Sequence, residues 1–261
     1  MKFLFTLLVI LQCSLKVNAE EFCAAGIESI PDGNGSVTWL LSIPEMSSIT
    51  TDVSLNANIT HPWVGDLSIR LTAPNGATSL LLHRPGMPSS SWVGPWGCGG
   101  DDLVCQFTDS ASVPAEDSCS LDSVPVLNGD LLPLESFNKF VGMNPSGQWS
   151  LEITDHSFID SGSINTLCLV LLLDDDCNEN NVSDSDDISG GFSTDINLNG
   201  IPDECECLGD FNNDDSVNVE DILNIINEWG PCEGCFADIN LDGIVDVSDL
   251  LMVISNWGPC E

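Results

Sequence analysis

The C-terminal third of the chain contains four oxygen-rich loops that share one spacing. In each loop, Asp, Asn or Glu occupies positions 1, 3, 5, 9 and 12. Calcium takes six to eight oxygen ligands, and this spacing supplies them when a backbone carbonyl at position 7 completes the shell. Ser216 and Ile244 would supply that carbonyl in the last two loops. The predicted side-chain ligands, loop by loop, are Asp176, Asn178, Asn180, Asp184 and Asp187; Asp195, Asn197, Asn199, Asp203 and Glu206; Asp210, Asn212, Asp214, Asn218 and Asp221; and Asp238, Asn240, Asp242, Asp246 and Asp249.

The last two loops belong to a tandem repeat. Cys207-Leu-Gly-Asp210 opens the first copy, and Cys235-Phe-Ala-Asp238 opens the second copy 28 residues later (235 minus 207). An apolar run with helical spacing follows each loop, and Gly-Pro ends each run. We therefore expect two loop–helix units, each with one apolar helix face: Val219, Ile222, Leu223, Ile225 and Ile226 in the first, and Val247, Leu250, Leu251, Val253 and Ile254 in the second.

A calcium loop followed by a single helix, present twice in tandem, resembles the type I dockerin module over about residues 207–260. The resemblance implies two antiparallel loop–helix units that dock onto a cohesin domain. Two positions depart from the family pattern. Loop position 6, normally Gly, is Asp215, although Asp tolerates a left-handed backbone better than most residues. Positions 10 and 11, often Ser-Thr, are Val219-Glu220 and Val247-Ser248.

The two upstream loops, within residues 174–206, are not followed by an apolar helical run. They resemble thrombospondin type 3 repeats, in which calcium takes the place of a hydrophobic core. A solvated acidic linker is the alternative interpretation. The shared register of acids and amides favours two helix-less calcium loops in this linker.

The charge distribution supports a cation-dependent tail. Residues 174–261 contain 23 acidic residues and no Lys or Arg, in a chain whose net charge is −36. Such a segment repels itself until divalent cations neutralise it. The chain has only five basic residues against 41 acidic ones. That balance excludes nucleic acid and an anionic membrane surface as partners, because binding to either requires a positively charged surface on the protein.

Residues 1–19 have the pattern of a secretory signal peptide. Lys2 provides the positive start, residues 3–11 provide the apolar core, and Val17-Asn18-Ala19 precedes a predicted cleavage after Ala19. No later segment approaches the ~18 apolar residues of a membrane span. We expect a secreted, extracellular protein.

Cysteine usage agrees with an oxidising compartment. Eleven cysteines remain when Cys13 is removed with the leader, and this number is compatible with disulfides. Cys177 and Cys205 are placed to join the two upstream loops. The repeat quartet of Cys207, Cys232, Cys235 and Cys260 has two solutions: each copy closes on itself, or the ends join while Cys232 pairs with Cys235. Zinc is the competing interpretation for that central pair. One cysteine is left unpaired, or pairs between chains, among Cys23, Cys98, Cys105, Cys119 and Cys168.

Residues 20–173 have the sequence pattern of a β-domain. Apolar and polar residues alternate over residues 52–60, 67–71 and 149–153. Pro74-Asn75-Gly76 predicts a tight turn, and residues 164–172 predict the closing strand. Many short strands in about 150 residues favour a sandwich with a substantial core.

The motifs of this domain resemble the P domain (P/Homo B domain) of proprotein convertases. They include His61-Pro-Trp-Val-Gly-Asp66-Leu-Ser-Ile-Arg70-Leu-Thr-Ala-Pro74-Asn-Gly76 and Asn144-Pro-Ser-Gly147-Gln-Trp149, together with residues 107–111, 133–137 and 160–169. The resemblance covers most of residues 30–172. It implies a jelly-roll β-sandwich of the kind that follows and stabilises a subtilisin-like domain.

Residue types that could carry catalysis are few. The subtilisin-like domain that accompanies the P domain in convertases has no counterpart in these 261 residues. Asp160-Ser-Gly-Ser163 superficially resembles a nucleophile motif, but a Ser is weak without an adjacent base that a third group orients. We predict no catalytic site of the chain's own.

The complete expectation is a mainly β protein: a jelly-roll β-sandwich, a calcium-loop linker at 174–206 and a small α-helical dockerin-like module at 207–261. We expect a secreted, calcium-binding interaction or structural protein whose cofactor is calcium. Its partner would be another protein, either a cohesin-like domain or an extracellular protease or hydrolase. The alternative is an accessory component of a subtilisin-like protease or of a polysaccharide-degrading cohesin–dockerin assembly.

Overall fold

The alternating apolar residues form ten strands in two sheets, followed by a tail of short helices and two-residue strands. The computed structural model describes residues 18–24, 26–86, 97–212, 214–232 and 234–260. The sandwich strands are β1 (Asn18–Ala24), β2 (Glu28–Ile30), β3 (Ser36–Ile43), β4 (Ser48–Thr60), β5 (Leu67–Thr72), β6 (Thr78–His83), β7 (Leu103–Thr108), β8 (Leu127–Leu131), β9 (Gly147–Asp155) and β10 (Gly162–Asp175). The tail elements are α1 (Asp184–Gly190), β11 (Ser216–Val217), α2 (Val219–Asn227), β12 (Gly230–Pro231), β13 (Ile244–Val245), α3 (Val247–Ser255) and β14 (Gly258–Pro259).

The ten strands β1 to β10 divide into a six-stranded and a four-stranded sheet. The first has the order β1-β10-β4-β7-β8, with β2 also paired to β10, and the second has the order β3-β9-β5-β6. Among the described strands, β7 and β8 run parallel and the other pairs are antiparallel. The expectation of a mainly β fold with a small helical C-terminal region is confirmed.

Both sheets contribute to one hydrophobic core. The predicted inward positions of β4 are buried, as are those of β5 and β9. Trp149 of β9 is nearly inaccessible and meets Phe140 edge-on, with ring centroids 5.2 Å apart. A single cluster of buried side chains joins the facing surfaces of the two sheets. This arrangement is a β-sandwich, and burial of apolar area is its main source of stability.

The turn predicted at Pro74-Asn75-Gly76 joins β5 to β6. The amide of Ala73 donates to the Ala77 carbonyl at 2.9 Å, and the Asn75 side chain accepts from the Ala77 amide at 2.9 Å. Gly76 has a φ of 85°, a conformation that glycine adopts without steric cost. The turn therefore sets the register of this hairpin.

His61 and Asp155 lie side by side, both buried, at one end of the sandwich. Their Nε2 and Oδ2 atoms are 3.5 Å apart, and both side chains are inaccessible. The backbone amide of His61 donates to the Asp102 carboxylate at 3.0 Å. A Cβ on Gly162 would stand 2.6 Å from the His61 ring, so only glycine allows this close approach. His61 therefore has a packing role between the end of β4 and the end of β9.

The tail has a second, smaller core built symmetrically from the two repeats. β11 pairs with β14, and β12 pairs with β13. The strand in each loop therefore pairs with the segment that follows the helix of the other repeat. The buried members of this core are Leu208, Val217, Ile225, Ala237, Ile239, Val245 and Val253.

Helix α1 corrects one expectation. The upstream loops were predicted to lack helices, but the first loop runs directly into α1. Ser183 caps the helix by accepting from the Asp186 amide, three acids in the first turn complement the helix dipole, and Gly191 ends the helix in a left-handed conformation. The prediction relied on apolar periodicity alone, and capping is what forms this polar helix.

Five disulfides link the described part of the chain. They are Cys23–Cys168, Cys98–Cys119, Cys177–Cys205, Cys207–Cys260 and Cys232–Cys235. Of the two solutions for the repeat quartet, the structure has joined ends and a paired centre. Cys105 on β7 is the remaining free cysteine among the described residues.

Part of the predicted leader, residues 1–17, lies outside the described residues. Asn18 and Ala19, which the prediction assigned to the leader, belong to β1, where they pair with Leu173 and Leu172 of β10. In the described part of the chain, no helix is long and apolar enough to cross a lipid bilayer.

Replacing Phe107 by Ala should lower the free energy of unfolding by about 3–5 kcal/mol, because its fully buried ring would leave a cavity between the sheets. Val104 lies on the same strand but is exposed. Its replacement by Ala should change the free energy by less than about 0.5 kcal/mol. Denaturant unfolding followed by tryptophan fluorescence measures both values. Equal effects of the two substitutions would contradict the assigned strand orientation.

The Cys105 thiol should resist alkylation in the folded protein. Burial raises the pKa of this thiol to about 12, so almost no reactive thiolate exists at pH 8. In a protein that begins at Glu20, iodoacetamide at pH 8 should label one thiol per chain after unfolding in guanidinium without reductant. Labelling before unfolding should be far slower. Labelling that is equally fast in both states would contradict the buried position.

Candidate functional site

The first position of each predicted calcium loop organises the loop backbone in the same way. The carboxylates of Asp176, Asp195, Asp210 and Asp238 each accept hydrogen bonds from the amides of loop positions 5 and 6. These eight N···O distances lie between 2.8 and 3.2 Å, the extremes being found in the last and the third loop. All four loops therefore fold back on their first carboxylate.

The sixth position is left-handed in every loop. Its φ is 67° at Asn181, 89° at Gly200, 62° at Asp215 and 86° at Gly243. A positive φ favours Gly and is tolerated by Asn and Asp. Asp215, the departure noted in the sequence, thus keeps the common loop conformation. The same role of Asn181 was missed, although an Asn five residues after the first Asp was a usable signal.

The side chains at position 3 also face the interior of the loops. Asn178, Asn197, Asn212 and Asn240 each accept from the position 5 amide, at 3.1, 3.1, 3.0 and 3.0 Å respectively. Since position 3 accepts with its amide oxygen, that oxygen points inward with the first carboxylate. The predicted ligands at position 5 are Asn180, Asn199, Asp214 and Asp242, and all of them lie in these tight turns.

The position 12 acids of the last two loops close both loops. Asp221 accepts from the Phe211 amide at 2.9 Å and from the Asn218 amide at 2.8 Å. Asp249 does the same with the amides of Ile239 and Asp246, at 3.0 and 2.9 Å. Each acid thereby joins its loop to its helix and completes a capping box.

Positions 7 and 9 connect the last two loops to their helices. Ser216 and Ile244 lie in β11 and β13, so their backbone is already extended and paired. Asn218 and Asp246 are the N-cap residues of α2 and α3. Ligand positions and helix start are therefore built from the same residues.

In the two upstream loops, the side-chain amides at positions 3 and 5 hold the acid at position 12. Asp187 accepts from the amide groups of Asn178 and Asn180, and Glu206 accepts from those of Asn197 and Asn199. These contacts bring positions 3, 5 and 12 together in each loop.

The position 9 acids of the upstream loops reach back to position 2. Asp184 accepts from the Cys177 amide at 2.9 Å, and Asp203 accepts from the Ile196 amide at 3.0 Å. Burial raises the pKa of Asp184, and the neighbouring carboxylates of Asp174, Asp175 and Asp176 raise it further, while the Cys177 hydrogen bond lowers it. Carboxylates thus crowd one another in this loop.

The tail buries carboxylates without a basic side chain to pair with them. Residues 174–261 contain no Lys, Arg or His. A buried ionised carboxylate is costly unless a cation or hydrogen bonds compensate it. The donor set of carboxylates, amide oxygens and a backbone carbonyl consists of hard oxygens, which suit calcium. The buried acids are Asp176, Asp184, Asp187, Asp221, Asp238 and Asp249.

Cysteine does not contribute to these sites. Cys177 and Cys205 lie near Asp184, and Cys207 and Cys260 lie near Asp210, in clusters whose geometry resembles a metal site. Both cysteine pairs are disulfides. Cys232 and Cys235 are also joined to each other, which removes the thiolates that the zinc interpretation required.

The apolar residues of α2 and α3 do not form the single buried face that the sequence predicted. Ile225 and Val253 are buried, whereas three apolar residues of each helix are exposed. The apolar stripe is wide, and the other helix covers only one edge of it. With the tryptophan that follows each helix, the exposed side chains are Val219, Leu223, Ile226 and Trp229 in the first repeat and Val247, Leu251, Ile254 and Trp257 in the second.

These eight exposed residues form a two-part surface, here called the docking face. Each residue of the first repeat has its counterpart 28 positions later, and all eight are between 47% and 60% exposed. Paired apolar exposure of this extent is characteristic of an interaction surface.

Comparison with known families finds one match in the β-sandwich and one in the tail. The family model of the proprotein convertase P-domain matches residues 50–96, and that of the type I dockerin domain matches residues 208–257. Type I dockerin domains typically bind calcium and associate with cohesins. Both families are non-catalytic accessory domains that typically occur in extracellular proteins.

Individual relatives resemble only part of the chain. A transglutaminase-activating metalloprotease of Streptomyces mobaraensis is 29% identical over 102 residues, which are 39% of this chain and 12% of that protein. Two structures of a serine protease of Aeromonas sobria, one in complex with its chaperone, have TM-scores of 0.36 and 0.30 at 20% and 17% identity. Each covers 60% of this chain and 26% of the protease chain. The chain thus spans a small fraction of these proteins, and it combines a region matching the proprotein convertase P-domain with a C-terminal region matching the type I dockerin domain.

Proposed function

We propose that this protein is a secreted, calcium-dependent interaction protein without catalysis of its own. The β-sandwich is its displayed module, and the tail from residue 174 is a calcium-stiffened connection that ends in a docking module. The observation that carries this proposal is the burial of six carboxylates in a segment free of basic residues.

Calcium would supply positive charge at each loop centre and accept the converging oxygens. The chain's own residues prepare for it. The first carboxylate curls the loop, the left-handed sixth residue turns the backbone, and the twelfth acid ties the loop to the next element. Because Asn218 and Asp246 are at once predicted ligands and helix caps, ion binding and formation of α2 and α3 would be coupled.

The docking face supports a protein partner. Its apolar side chains are presented twice at equivalent positions, and the matched dockerin family associates with cohesins. Positions 10 of the two loops, Val219 and Val247, belong to this face. A cohesin-like partner of this protein would therefore offer an apolar surface at the position where Ser-Thr dockerins need polar contacts.

The disulfides support the proposal that the protein is exported. Five cysteine pairs in a chain of this size require an oxidising compartment such as the extracellular space. Leader residues 1–19 would direct the export.

We propose that the chain has no catalysis of its own because its three histidines make contacts within the sandwich. His61 pairs with Asp155 in the core. His156 contacts the Ser68 hydroxyl at 2.8 Å and the ring of His83, and burial lowers the pKa of His156, with His83 and Arg84 lowering it further. These contacts hold the loops at one end of the sandwich together.

The second candidate function is that of an accessory component of an extracellular subtilisin-like protease or of a polysaccharide-degrading assembly. The observation in its favour is the match to the P-domain, which resembles domains that stabilise a catalytic partner. Calcium-independent binding of the sandwich to a purified subtilisin-like domain would favour this candidate.

Calcium titration of the full chain should detect more than one bound ion. Isothermal calorimetry after treatment with EDTA should give up to four sites, and circular dichroism should show a gain of helix. The double variant Asp210→Ala, Asp238→Ala should lose about two ions and most of that gain, because both first carboxylates organise the repeat loops.

The matched control is Glu228→Gln, which removes an exposed charge from the end of α2 without touching a loop. It should retain the stoichiometry of the unaltered chain. If titration of the unaltered chain with calcium gives no heat of binding, the calcium proposal is refuted.

Charge introduced into the docking face should abolish partner binding while calcium binding persists. We expect Leu223→Asp together with Leu251→Asp to weaken binding to a purified cohesin domain at least 100-fold, because both equivalent contacts would bury a carboxylate. Surface plasmon resonance with and without EDTA measures the effect. Leu40→Asp, which alters an exposed leucine of the sandwich, is the control and should bind as the unaltered chain does. Equal binding by the double variant would refute this face as the contact.

A further inference from the structure

The outer face of the six-stranded sheet contains a groove that the calcium loops and the docking face do not involve. Its volume is about 390 Å³, within the range of small-ligand sites in proteins. Strands β4, β7, β8 and β10 form it. Its lining includes Asn56, Asn58, Val104, Gln106, Asp130 and Thr166.

Strand register places these side chains in two rows across the sheet. Asn56 lies beside Gln106, and Gln106 lies beside Asp130. In the next row, Thr166 lies beside Asn58, and Asn58 lies beside Val104. Neighbouring strands are about 4.8 Å apart, and successive outward positions on a strand are about 7 Å apart. The groove therefore presents regularly spaced polar side chains, with Val104 as an apolar member of the second row.

Contacts within the protein hold one end of each amide and leave the other end free. Asn56 donates with Nδ2 to Glu21 at 3.2 Å, Gln106 donates with Nε2 to Ser54 at 3.2 Å, and Asn58 accepts with Oδ1 from Asn165 at 3.0 Å. The opposite ends are two acceptors, Asn56 Oδ1 and Gln106 Oε1, and one donor, Asn58 Nδ2. Within the described residues no hydrogen bond uses them. Amides fixed in this way are preorganised for a ligand.

The charges around the groove exclude an anionic ligand. The three basic residues among those described lie elsewhere: Arg70 on β5 of the other sheet, Arg84 beside Asp66, and Lys139 beside Glu135. Asp130 is the acidic residue of the described lining, and it adds hydrogen-bond acceptors. The ligand must therefore supply both donors and acceptors without a negative charge.

Two further features suit a hydroxyl-rich ring. Val104 is 46% exposed and offers an apolar patch between the polar positions. Gly129 at the groove has no side chain to fill it, and a Cβ there would meet no atom within 4 Å. Sugar rings combine hydroxyls at their rim with apolar C–H faces, so this alternation matches them.

We propose that this groove binds a neutral oligosaccharide. Asn56 and Gln106 accept from its hydroxyl groups, Asn58 donates to a hydroxyl oxygen, and Val104 contacts a C–H face of the ring. The site belongs to the sandwich alone, so it requires neither calcium in the tail nor a docking partner.

The test uses the full chain labelled with ¹⁵N and titrated with cellohexaose, xylohexaose, laminarihexaose and mannohexaose. We expect at least one of them to shift the side-chain amide signals of Asn56, Asn58 and Gln106, which single variants assign. Asn58→Ala and Gln106→Ala should each weaken binding about fivefold to tenfold, because each removes one preorganised hydrogen bond. Hexagalacturonate, the anionic probe, should cause no shift.

The matched control is Thr38→Ala together with Ser42→Ala, which removes exposed hydroxyls from β3 of the other sheet. This control should bind as the unaltered chain does. The proposal is overturned if none of the four neutral oligosaccharides shifts these signals, or if the Asn58 and Gln106 variants bind as tightly as the control. Binding of hexagalacturonate in preference to the neutral probes would also overturn it.

Discussion

Burial of negative charge without a positive side chain is the constraint on which the tail depends. Six of the described carboxylates are buried in a segment whose sequence has no Lys, Arg or His. Backbone amides compensate five of them in part, and the side-chain amides of Asn178 and Asn180 compensate Asp187. These hydrogen bonds fold the chain into loops of the kind that suit a hard cation. The hydrogen bonds that Asp221 and Asp249 accept from the amides of Asn218 and Asp246 also cap α2 and α3, so compensation of these two charges and the start of the helices use the same contacts. The docking face exists only when both helices are formed, because its eight residues lie on or directly after them.

The sandwich depends on a different interaction. Its core joins two sheets through apolar side chains, and the buried side chains of His61 and Asp155 lie next to each other at one end. In the proposed function, this sandwich, stabilised by hydrophobic burial, would be joined to a tail whose order depends on calcium. The first tail loop is attached directly to β10, and the Asp176 amide donates to the Ser47 carbonyl at 3.1 Å.

The inferred groove and the docking face differ in the chemistry that they offer. The groove presents oriented amides on a rigid sheet, whereas the docking face presents apolar side chains on two short helices. They lie in separate modules with separate cores. If the groove binds a glycan and the docking face binds a partner protein, this chain would bring the glycan and the partner protein together. The relative scarcity of basic residues leaves both surfaces free of competing anions.

The sequence by itself determined the periodic features. Alternation of apolar residues identified the inward faces of β4, β5 and β9, and the repeated acid spacing located the four loops, because both patterns are local and set by backbone geometry. Whether the loops hold calcium stays a prediction. Only the tertiary structure decided which cysteines pair, since distance in space is independent of sequence separation. It also decided that Leu223 and Leu251 are exposed, because helix packing covers just one edge of the apolar stripe. The groove emerged only from strand register, which brings Asn56, Gln106 and Asp130 together from three strands distant in sequence.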